Sequence, residues 1–307
     1  MTASLRSTLR AVVLGALMLP LAGCSLKRIA INSLGNAMAA GSTSTFARDD
    51  DPELVRDALP FALKTIESLI QQSPRHQPLL TTAASGFTQY GYAFVQQDSD
   101  FIETQDLDRA TRLRARAKQL YLRAVDYGLR GLDVDIPGFR DRLTADPDAV
   151  LAKATRKHVP LLYWTAAAWA SALAVDVNDA ELSVRQTVIE KMMRRALALD
   201  ETWEQGSLHD FFIAWDAAHA STGGSMAAAR EHFAQATRLA NGTRLAPYVS
   251  LAESVCIQEN NRKEFETLLN QALAIDINKA PDQKLANVIS QRRARWLLAR
   301  IDDLFVN

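Results

Sequence analysis

From Pro52 onward, apolar side chains recur every three or four residues along most of the chain, and no alternating stretch long enough for a strand interrupts them. That 3.6-residue period is the mark of helices that bury one face. Between Gln105 and Leu129, for example, Leu107, Ala110, Leu113, Ala117, Leu120, Tyr121, Ala124 and Leu129 share one side, while Arg109, Arg112, Arg116 and Arg123 share another. Turn formers separate such segments at Ser73-Pro74, Pro137-Gly138, Asp146-Pro147, Gly223-Gly224, Asn241-Gly242 and Ala280-Pro281. Asp51 before Pro52 suits a helix start, because a carboxylate can cap the first turn and proline there loses no hydrogen bond. The pattern predicts an all-α protein of about a dozen helices.

Within it a shorter motif repeats. Ala117-x3-Tyr121-x2-Ala124 places a large side chain between two small ones on one helix face, which lets a neighbouring helix approach closely. Ala229/Phe233/Ala236 has the same form, and Ile189/Met193/Ala196 and Phe265/Leu269/Ala272 keep the spacing with apolar substitutions. The last three alanines stand 40 and 36 residues apart, near the roughly 34 of a TPR array. Ala124 and Ala196 are 72 apart, so one unit there is degenerate or interrupted by residues 131–157. The expected architecture is an α-α superhelix of TPR-like repeats; a generic helical bundle is the competing reading.

The N-terminal segment has a different logic. Arg6 and Arg10 precede an apolar stretch from Ala11 to Leu19, and Leu21-Ala22-Gly23-Cys24 comes just after it. The stretch is too short to span a bilayer, and small residues before a cysteine suit a signal peptidase. The tetrapeptide resembles a bacterial lipobox, which implies cleavage before Cys24 and acylation of its thiol. The chain divides accordingly into a signal peptide (1–23), a lipidated tether (24–51) and a TPR-like helical domain (52–307). Ser25 replaces the aspartate that would favour inner-membrane retention, so the expected location is the periplasm, with the outer membrane favoured. The covalent lipid is the only expected prosthetic group.

Charge and chemistry narrow the function. The whole chain has 35 basic and 35 acidic residues, and loss of Arg6 and Arg10 with the signal leaves a net charge of about −2, no basis for binding nucleic acid. Cys256 is the other cysteine, so no intrachain disulfide forms between free thiols. No nucleophile elbow, phosphate loop or zinc-protease motif is present, and His209 and His219 suit capping or core hydrogen bonds better than catalysis. Asp133-x-Asp135-x-x-Gly138 lacks a calcium loop's closing glutamate and reads as a turn. The arginine side at Arg109, Arg112, Arg116 and Arg123 reads as a solvated face paired with local acids, with a docking patch as the alternative. Tyr163, Trp164, Trp169, Phe211 and Trp215, with Trp203 and Phe212, crowd one third of the chain. They are candidates either for inter-repeat core or for the lining of a pocket that takes an apolar ligand.

Several stretches carry a family resemblance over nearly the whole length: the lipobox; Ala58-Leu59-Pro60 leading to Glu67-Ser68-Leu69; Lys118 to Ala124; Leu162 to Trp169; Arg195 to Glu201; Gly206 to Phe212; Gly223-Gly224 with Ala229 to Phe233; and Gln291 to Ala294 through Asp302 to Phe305. In order and spacing they resemble the TatT component, a TPR-like lipoprotein of TRAP (tripartite ATP-independent periplasmic) transporters. Ser225-Met226-Ala227 departs from the proline and acid expected after the double glycine. The resemblance implies a non-catalytic helical scaffold that self-associates, with a trimer expected. It further implies pairing with a periplasmic substrate-binding protein and handling of a hydrophobic organic acid or lipid-like ligand. An outer-membrane assembly scaffold that binds other envelope proteins is the alternative function.

Overall fold

The computed structural model describes residues 32–37 and 45–305; Cys24 and the lipobox lie outside them. The described residues form helices joined by turns and short loops, with no strand among them. The main helices are α1 (Pro52–Gln72), α2 (Gln77–Gly91), α3 (Leu107–Asp135), α4 (Val159–Val175), α5 (Gln186–Leu199), α6 (Ser207–Ala218), α7 (Met226–Leu239), α8 (Ala246–Leu251, extended by a π turn), α9 (Arg262–Ala274) and α10 (Lys284–Ala299). The fold is all-α and compatible with TPR-like repeats.

Local chemistry sets the boundaries. The Asp51 carboxylate accepts from the Leu54 amide at 3.0 Å with Pro52 in the first turn, and Asp106, Ser225 and Asn261 cap α3, α7 and α9 in the same way. α4 is apolar nearly all round and packs against α2, α3 and α5, as a central helix must. Its approach to α3 depends on two glycines. A Cβ at Gly128 would lie 2.0 Å from Thr165 Oγ1, and one at Gly131 would lie 2.6 Å from a Leu161 methyl.

The repeated motif lies at the packing surfaces. Ala117, Tyr121, Ala124, Ile189, Met193, Ala196, Phe265, Leu269 and Ala272 are all fully buried. Phe233 is the exception: half-buried, it meets Tyr248 edge-on at 5.3 Å. The long interval between Ala124 and Ala196 holds two short helices, Phe139–Ala145 and Pro147–Leu151, which bury Phe139 and Leu143 before α4 begins.

One core runs from Val55 to Trp215 and takes in Ile289; a second runs from Ile213 to Phe305. Helix α6 serves both, with Leu208, Phe212 and Trp215 on the first and Ile213 and Ala217 on the second. The C-terminal helix then returns to the start. Arg292 on α10 shares Asp98 with Arg56 on α1, both at 2.9 Å, and Trp296 packs on Phe101 at 5.2 Å. Part of the expected tether joins this closure, because Phe46 packs on the first core and Arg48 meets Asp282 at 2.6 Å.

Candidate functional site: the polar inner face and its aromatic flank

Two helices are widened by a π turn. α2 continues through Tyr92–Gln96 into a short helix, Gln97–Ile102, and α8 continues through Ala252–Cys256. Such turns rotate the side chains beyond them and are frequent at functional sites. Tyr92 and Glu253 lie within these turns and Asp100 just beyond the first, and all three are near Arg293 of α10. Arg293 Nη1 donates to Asp100 at 2.7 Å and its Nε to Glu253 at 3.2 Å, with a second, shorter bond to the same carboxylate. Burial opposes the charge on this guanidinium, but Glu253, Tyr92 and Asp100 together outweigh it and raise the pKa. Burial also raises Asp100, against the pull of Arg293. Gln97 is fully buried, and neither atom of its side-chain amide has a hydrogen-bond partner among the described residues. Tyr92 keeps 43 % of its surface exposed, yet burial raises its phenol pKa.

A second polar group lies on α6 and the loop before α8. Asp210 accepts from Arg244 at 3.1 Å and from Ser250 at 3.2 Å, and Asn287 of α10 pins that loop by bonding both Leu245 and Thr243. Burial raises the Asp210 pKa. Arg244 Nη1 is buried without a hydrogen-bond partner among the described residues. The Tyr163 phenol feels these charges, and its pKa is raised chiefly by burial and next by Asp210.

The five aromatic candidates separate into groups. Tyr163 meets Trp164 edge-on at 4.9 Å and Trp203 at 4.6 Å, all three half-buried. Phe211 stacks on Trp215 at 5.4 Å, and Trp215 on His219 at 4.1 Å. Trp169 stands apart. Six residues beyond Tyr163 it points to another side of α4, where it lines a cavity of about 270 Å³ with Arg140 and Arg185. Trp203, named with the aromatic group, joins Tyr163 and Trp164 in one cluster. Arg293 is legible in principle, because it occupies the apolar stripe of α10 between Ile289 and Leu297, where a charge needs a buried partner.

Both histidines find local roles. His219 bonds the Trp215 carbonyl at 2.8 Å. His209 joins a chain in which its Nδ1 meets His232 Nδ1 at 2.7 Å, its Nε2 meets Glu201 at 3.0 Å, and His232 faces Asp216 at 3.6 Å. Asp133 accepts from the Arg140 amide at 3.3 Å and closes a turn over Pro137-Gly138. Of the arginine side, Arg123 pairs with Glu67 at 3.7 Å and Arg116 lies over Tyr90.

Packed helices with buried ion pairs and clustered aromatic rings define an all-α protein compatible with TPR-like repeats. The family model of the TRAP transporter T-component matches residues 48–305, and the chain belongs to that family. It is a transporter-associated family and not an enzyme family. A relative in Treponema pallidum (strain Nichols), described as an uncharacterized protein, is 33% identical over 304 residues, covering 93% of this chain and 94% of its own.

Proposed function

We propose that the protein is a non-catalytic lipoprotein, acylated at Cys24 and held in the periplasm with the outer membrane favoured, that pairs with the substrate-binding protein of a TRAP-type transporter and helps transfer an apolar organic acid or lipid-like ligand. The observation that carries this reading is the family match across essentially the whole helical domain. The aromatic and polar clusters support it in detail. Tyr163, Trp164 and Trp203 offer one rigid apolar surface and Phe211 with Trp215 on α6 a second, and Arg244 has a guanidinium nitrogen with no partner among the described residues to offer a carboxylate. Leu54 and the 80 % exposed Phe61 lie two turns apart on α1 and supply an apolar surface for self-association, with a trimer expected.

Crosslinking in envelope extracts followed by purification tests the partner: a periplasmic solute receptor should be recovered. Recovery of outer-membrane assembly proteins alone would favour the scaffold function instead. Native mass spectrometry of protein purified without detergent should show a retained acid or lipid-like molecule. Trp203→Leu should lower its occupancy with little change in stability, whereas unchanged occupancy would remove the aromatic walls from the site.

A further inference from the structure

At the end of the molecule where α1 turns into α2, a cavity of about 330 Å³ is lined by Asp135, Arg142, Lys153, Thr155, Lys157 and His158. Its hydrogen-bonding capacity is one-sided. Asp135, the carboxylate in the group, already accepts from Gln77 at 2.8 Å and pairs with Lys157 at 3.0 Å. His158 Nδ1 accepts from the Thr155 amide at 2.9 Å, so a neutral ring carries its proton on Nε2. That Nε2 is buried, 3.3 Å from Asp135, and without a hydrogen bond of good geometry. Among the described residues neither Arg142 nor Lys153 pairs with a carboxylate, and both are exposed. Gly138, at φ +73, makes the turn that brings Arg142 back beside Ile136 and Pro137. Donors therefore outnumber acceptors, and three cations face one engaged acid.

The position of the cavity adds a second constraint. The 32–37 helix docks on the α1–α2 turn, where Ser73 bonds Asn32 at 2.7 Å and Gly35 lies close against Leu79 and His76. The same turn is fixed to the end of α3 through Arg75 to the Val134 carbonyl at 3.2 Å and Gln77 to the Gly131 carbonyl at 3.0 Å. Asn32 is eight residues from Cys24, a separation of at most about 28 Å in an extended chain. If Cys24 carries the lipid, as proposed above, Asn32 is tethered within about 28 Å of the bilayer surface, with the donor-rich cavity at the same end of the molecule.

We infer that the cavity binds a phosphate group, with Arg142, Lys153 and Lys157 supplying charge and His158 Nε2–H a directed donor, and that the group it meets in place is the phosphate of an anionic phospholipid headgroup. Phosphate suits such a site because several oxygens accept from converging cations at once. Calorimetric titration of the full chain in non-ionic detergent tests this with inorganic phosphate and with glycerophosphoglycerol, a headgroup without acyl chains. Both should bind saturably, and Arg142→Gln and Lys153→Gln should each weaken both by about tenfold while leaving the thermal unfolding curve in place. Lys191→Gln, which removes a lysine paired with Asp148, should change neither. Binding of inorganic phosphate with no binding of glycerophosphoglycerol would overturn the headgroup assignment. Absence of both, or binding indifferent to Arg142 and Lys153, would overturn the site. These titrations do not depend on acylation of Cys24, which fatty-acid labelling of the envelope protein tests on its own.

Discussion

At the scale of single residues, the buried charges matter most. Arg293 holds Asp100 and Glu253 together in the interior, so Arg293→Gln leaves two carboxylates facing each other; a loss of about 3 kcal/mol in urea unfolding is expected. Arg116→Ala, on the exposed side of α3, should cost under about 1 kcal/mol. Equal losses would mean that the interior network is fully solvated. His232 gives a pH dependence. Its pKa is lowered to about 4, first by burial and then by the nearby charges of His209 and Arg194. The unfolded chain, titrating near 6.5, therefore binds this proton before the native state does. Stability is retained above about pH 7 and falls progressively as pH drops from 6.5 towards 4, by on the order of 2 kcal/mol. His232→Gln should flatten that part of the stability profile measured by urea titration at successive pH values. The sequence made the core identities of Tyr121, Ala124 and Phe265 legible because spacing alone decides them. It did not show the His209–His232 contact, which joins two helices that only the tertiary fold brings together.

At the scale of elements, periodicity carried the helices and their caps, since both depend on neighbours within a few residues. It missed the two π turns, because one extra residue in a turn leaves the apolar period almost intact while rotating every side chain beyond it. Asp100 lies beyond the first of these turns and Glu253 within the second, so the pairing of both with Arg293 was hidden, while the aromatic residues were visible as composition. The α3–α4 contact depends on the missing side chain at Gly128. Gly128→Ala should destabilise by about 1–3 kcal/mol through overpacking, and adding Thr165→Ala should recover part of that loss by removing the hydroxyl in the way. No recovery in the double variant, by thermal unfolding, would place the strain elsewhere. Phe233 shows the reverse lesson: its motif recurs in mid-helix, but the ring meets Tyr248 and stays only half covered.

At the scale of the whole molecule, attachment and enclosure are separate properties. Cys24→Ser should release the protein from membranes or block its maturation, because no described helix is long and apolar enough to cross a bilayer. Fractionation that finds the variant still resistant to salt and carbonate would contradict acylation at that residue. Enclosure depends on α10, whose contacts with Asp98 and Asp100 join residues 194 and 193 positions apart in the chain. Most other packing here links successive helices, which can form as soon as each pair is available. Closing so long a loop costs chain entropy that only the finished neighbours can offset. The closure should therefore be the slow, final event of folding, and a chain interrupted before Lys284 would keep most of its helices while its interior stood open to solvent and proteases.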